Sequence, residues 1–98
     1  MRIKDLRKLR HDELLKEKPN IKFIKKITKI IRRKKRILTD LKKLKAMCLE
    51  ADLTEEATNR LILKYVDKKT YKEIANIEVV TEEAIKHSIR ISRAKLNI

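Results

Sequence analysis

Hydrophobic positions along this chain recur at helical spacing. At 100° per residue, Ile24, Ile27, Ile31 and Leu38 fall on one side of a helix, and Lys22, Lys25, Lys26, Lys29, Arg33 and Arg36 fall on the other. No breaker interrupts the pattern from Ile21 to about Asp52. Thr39-Asp40 can cap a new helix, so the stretch is one helix or two. Upstream, Leu6, Leu9, Leu14 and Leu15 mark a helix from Ile3 to about Lys18, broken at Pro19-Asn20. Downstream the chain reads as three shorter helices. Thr54 caps the first, with Glu55 and Glu56 at the positive end of its dipole and Leu61, Ile62, Tyr65 and Val66 along it. Thr70 caps the second, Tyr71–Ile77. Thr81 caps the third, whose buried face is expected at Ile85, Ile89, Ser92 and Leu96. A short helix, a brief turn and a longer helix is a helix-turn-helix layout.

Composition agrees with an all-α fold. The 98 residues include no Gly and one Pro, and aromatics are 3%, so one small aliphatic core is expected. Without Gly, the phosphate loops that need bare backbone are excluded, and glycine-based hairpin turns are missing. The lone Cys48 can form no internal disulfide, which suits a reducing compartment. The longest apolar run, Ala46–Leu49, is far short of a membrane span, and the start of the chain has no signal-peptide core. A cytoplasmic, nucleoid-associated protein is expected.

Charge divides the chain. Residues 1–50 hold 19 Lys/Arg against 6 Asp/Glu, whereas residues 51–98 hold 9 against 8. The expected organisation is a basic amphipathic helical region, 1–52, followed by a helix-turn-helix module, 53–98, that folds without it. The stripe on the 21–38 stretch runs into Arg32, Arg33, Lys34, Lys35 and Arg36, five consecutive cations with no nearby carboxylate. An ordinary run of lysines is a solvated helix face. This density carries a self-repulsion that a polyanion would relieve, so these residues, with Lys22, Lys25, Lys26, Lys29 and Arg93, are the candidate phosphate contacts.

Leu61-Ile62-Leu63-Lys64-Tyr65-Val66-Asp67-Lys68-Lys69-Thr70-Tyr71-Lys72-Glu73-Ile74-Ala75 resembles the helix-turn-helix of bacterial sigma factor region 4 and of the small phage transcriptional activators that share it. The similarity continues without a gap through Thr81 to Leu96 and covers residues 53–96. Lys68-Lys69 replace the usual Gly-Leu, and Val79 stands where the turn has Gly. A β-branched residue is strained at positive φ, so the turn is expected to take another path. Residues 1–50 match no sigma region, which excludes a full sigma factor.

The resemblance implies major-groove reading of double-stranded DNA by the helix starting near Thr81, with Glu82, Glu83, Lys86, His87 and Arg90 as candidate base readers. Lys86 and Arg90 can donate to guanine, and Glu83 can accept from a cytosine amino group. Both glutamates equally suit a purely structural role at the helix dipole. The expected function is a small DNA-binding transcriptional regulator. The alternative is a phage-type inhibitor or adaptor that docks on RNA polymerase or blocks the nucleic-acid channel of another host enzyme. A homodimer is compatible with either reading. Membrane binding is disfavoured because the 21–36 stretch has only Phe23 as an aromatic anchor. No enzyme, cofactor or metal is expected: His11, His87 and Cys48 lack ligand spacing, and no carboxylate is placed to orient His87 beside Ser88. The Asp12-Glu13 and Glu55-Glu56 pairs read as solvated surface.

Overall fold

The computed structural model covers residues 1–98 and is all-helical. The helices are α1 (Ile3–Leu14), α2 (Ile21–Thr39), α3 (Leu41–Glu50), α4 (Glu55–Leu61), α5 (Tyr71–Glu78) and α6 (Glu82–Leu96), with a π-helical turn, Ile62–Val66, prolonging α4. Five of the six start at a side-chain N-cap. Asn20 and Asp40 accept from the backbone N–H of Phe23 and Lys43. Thr54 and Thr81 do the same for Ala57 and Ala84, and Thr70 forms a reciprocal capping box with Glu73. Asp40, in an extended conformation, ends α2 and starts α3, so the 21–50 stretch is two helices.

α1 is shorter than its leucine pattern implies. The Glu13 carboxylate accepts from the N–H of Asn20 at 2.9 Å and pairs with Lys16 at 2.8 Å. These contacts close the link into α2 and leave Leu14 and Leu15 exposed. Glu13 is therefore buried, and the solvated-surface reading fails for it. Lys16 and the Asn20 N–H hold its carboxyl below the ordinary carboxylate value.

α1 and α2 pack as a helical hairpin, with Arg10 Nη1 donating to Thr28 Oγ1 at 3.4 Å. The hairpin lengthens the molecule. Its radius of gyration is 15.6 Å and its longest dimension 51 Å, where a compact chain of this length has a radius near 13 Å.

The core crosses the junction at residues 52–53. One cluster of 14 buried residues joins Ile3 and Leu6 of α1, Ile27, Ile31 and Leu38 of α2, Leu44 and Cys48 of α3, and Leu61, Ile74, Ile85, Ile89 and Leu96 beyond. Ile98 belongs to it as well, and its carbonyl accepts from the Ile3 N–H at 3.4 Å. The two expected regions therefore share one continuous core. Removing α1 and α2 would expose the apolar faces that they cover.

Four non-glycine residues hold left-handed backbone: Asp52, Lys68, Val79 and Asn97, with φ between 56° and 58°. Two of them, Lys68 and Val79, stand where the resembled pattern has Gly. The turn at Val79 thus keeps the left-handed geometry that its side chain was expected to forbid. Its side chain is 90% exposed, so no packing forces it there. The bond from Val80 N–H to Ala75 O (3.0 Å) closes the end of α5 around it.

Candidate nucleic-acid interface

α2 carries the basic stripe because its isoleucines face the core. Ile27, Ile31 and Leu38 are buried, and Lys22, Lys25, Lys26, Lys29, Arg32, Arg33 and Arg36 are exposed on the far side. None of the α2 cations lies within ion-pair distance of a carboxylate. Lys29, Arg32, Arg33 and Arg36 line a shallow cleft of about 220 Å³ that contains no apolar and no acidic residue.

The run of five consecutive cations does not stay on this face, since five residues sweep more than one helical turn. Lys34 points back and donates to the Asn97 carbonyl at 2.8 Å, capping the C-terminal end of α6. Lys35 lines a different cavity, beside Ile3, Arg7 and Arg93. Lys34 leaves the set of free phosphate contacts for this reason.

On α6, the expected buried face, Ile85, Ile89, Ser92 and Leu96, is the observed one. The remaining candidates divide by flank. Lys86 and Arg90 line a cavity with Arg2, Tyr65, Tyr71 and Arg93. His87 lies on the other flank, in a groove against Leu53, Thr54, Ala57 and Arg60. Glu82 and Glu83 lie near the helix start, each 3.6 Å from Lys86 Nζ, so part of the Lys86 charge is answered within the helix. Lys86 also lies 5.8 Å from the centre of the Tyr71 ring, and Lys64 lies 4.3 Å from it.

Arg93 is half-buried and acts within the fold. Its Nη1 donates to Tyr65 Oη at 3.1 Å and its Nη2 to the Ile98 carbonyl at 2.9 Å. Two of its donors are thus taken up inside the fold, where a solvent-facing side chain was expected. Burial pushes the Tyr65 hydroxyl up, opposed by the positive charge and hydrogen bond of Arg93. Tyr65 lies within the π-helical turn, whose bond from Asp67 N–H to Ile62 O at 3.0 Å accommodates an extra residue ahead of the loop.

Two residues here have no signal in the sequence. Arg2 is one of several cations near the start of the chain, yet it lies beside α6 because Ile3 is buried with Ile98 and donates its N–H to the Ile98 carbonyl. Arg60 ties α4 to α5: its Nε donates to both Glu78 carboxylate oxygens at 3.1 and 3.0 Å, and its Nη2 reaches Glu56 at 2.7 Å. That contact fixes the base from which α5 and α6 extend.

No three His, Cys, Asp or Glu side chains converge in a way that could hold a metal ion, and no helix is long and apolar enough to cross a membrane. Cys48 is buried, and desolvation pushes its thiol up, away from the reactive thiolate. Compared with protein-family models, curated proteins and solved structures, the chain matches none of them.

Proposed function

We propose that this chain is a small, non-catalytic DNA-binding regulator that grips the duplex backbone with α2 and reads sequence with α6. The observation that carries the reading is α2, a helix of 19 residues with nine Lys/Arg and no Asp or Glu. Its exposed cations have no protein partner, and phosphates at regular spacing would supply one. Two features support a reading role for α6. It is amphipathic, with Glu83, His87 and Arg90 exposed opposite the buried Ile85 and Ile89. Backbone at Lys68 and Val79 is left-handed where the resembled helix-turn-helix has Gly, so side-chain differences at these positions leave the local path compatible with that motif.

The test is a mobility shift over a salt series with Lys29, Arg32, Arg33 and Arg36 replaced by Gln in the full chain. Binding should weaken about equally on all duplexes, with the salt slope shallower by up to about 0.9 for each phosphate that the variant no longer neutralises. If the native chain shifts no duplex at low salt, the DNA reading fails. The adaptor reading would then replace it.

A further inference from the structure

Of all the buried side-chain nitrogen and oxygen atoms in this molecule, two lack a hydrogen-bond partner: Nε of Arg2 and Nε of Arg93. Both residues line the same cavity, about 220 Å³, between the start of α1 and the flanks of α5 and α6. Buried donors without partners are costly, and charged ones more so, so the two guanidiniums concentrate uncompensated positive charge beside one cavity. The rest of the cavity points the same way. Lys86 and Arg90 add two more cations, Tyr65 and Tyr71 add aromatic rings, and no lining residue is acidic.

Three of the four cations, Lys86, Arg90 and Arg93, lie on α6, and Arg2 comes to them from the start of α1. Arg2 occupies the N-cap position of α1, where a guanidinium, which has donors only, cannot cap the first-turn N–H groups. Arg93 is held in place through one N–H of each Nη by Tyr65 and Ile98, which leaves the other N–H groups of its guanidinium without a protein partner. Arg90 is exposed and pairs with no carboxylate, and Lys86 has only the two long contacts at 3.6 Å. Guanidinium groups from α6 and from the start of α1 can donate to different oxygens of one tetrahedral anion.

We infer that this cavity binds a phosphate group, with the guanidiniums of Arg2 and Arg93 and the ammonium of Lys86 donating to it. The phosphate is either a duplex phosphodiester alongside α6 or a free phosphate. The inference goes beyond the DNA reading and does not require it.

The experiment follows the arginine Nε–H resonances of the full, isotope-labelled chain by nuclear magnetic resonance. Sodium phosphate is titrated against sodium chloride at matched ionic strength, and a random-sequence duplex is titrated separately. The Arg2 and Arg93 signals should move saturably with phosphate and stay still with chloride. Arg2→Gln should weaken the phosphate response of Arg93 by about tenfold or more, the loss expected for a hydrogen bond to a charged group. If the duplex moves the same two signals, the phosphodiester is the source. If phosphate moves them and the duplex does not, the pocket serves a free phosphate, and it stands even should the DNA reading fail. If neither moves them, or Arg2→Gln leaves the Arg93 response unchanged, the inference is overturned. Should Arg2→Gln fail to fold, the titrations of the native chain decide.

Discussion

α2 and α6 are built alike and charged differently. Each begins at a side-chain cap and buries isoleucines four residues apart, Ile27 and Ile31 in one, Ile85 and Ile89 in the other. Yet α2 has no carboxylate at all, whereas α6 opens with Glu82 and Glu83, both near Lys86. A face of unanswered cations attracts any polyanion and distinguishes none. A mixed face binds weakly on charge alone, because its glutamates repel phosphate, but it offers both donors and acceptors to base edges. Under the proposed DNA reading the difference separates affinity from selectivity, and the shared core holds the two helices in one body.

That last point is where the comparison breaks most easily. Ile27→Ala and Ile85→Ala should each cost about 2–5 kcal/mol, and each variant should unfold in a single transition. Two transitions by calorimetry, with only one shifted in each variant, would mean that α2 and α6 belong to separately folding units.

Selectivity is the next test. Arg90→Ala should erode discrimination between a preferred and a scrambled duplex by roughly 1–3 kcal/mol if its base contact is bidentate. The α2 substitutions should leave that ratio unchanged while lowering both affinities. An Arg90→Ala protein with intact site preference would remove α6 as the reader.

A smaller effect lies in the turn that aims α6. Left-handed backbone costs a non-glycine residue about 1–2 kcal/mol, and Gly gives back part of that by its greater freedom in the unfolded chain. Val79→Gly should therefore stabilise the fold by about 1 kcal/mol in denaturant melts, with α2-driven binding unchanged. A loss of stability would show that the exposed valine contributes packing that its position does not suggest.

The smallest effect is in acid. Hydrogen bonds from Thr70 and its backbone hold Glu73 below the ordinary carboxylate value of 4.5, as Lys16 and the Asn20 N–H hold Glu13. A group depressed in the folded state contributes its full stability above its unfolded value and loses it as pH falls through the folded one. Stability should be flat with respect to these two groups near neutral pH and decline below about 4.5. Glu13→Gln should make that decline shallower in melts across the acid range, and an unchanged slope would discount the contact.

Much of the helical layout was legible along the chain, because caps and apolar spacing are local properties. Thr54, Asp40, Thr70 and Thr81 each start the helix that their position predicts. The buried face of α6 follows from the same arithmetic, since a rise and turn per residue are fixed by the backbone hydrogen bonds. The stripe on α2 was legible for the same reason as far as Lys29, Arg33 and Arg36.

What tertiary structure alone decided concerns partners distant in sequence. Lys34 caps Asn97, 63 positions away, and Arg93 is taken up by Tyr65, 28 positions away, so two cations that read as free are engaged inside the fold. Arg2 joins Lys86 and Arg90 only because Ile3 packs against the end of the chain. A helix repeats every few residues and announces its own faces. Which face meets which is settled by burial of apolar surface between segments far apart, and no local pattern encodes it.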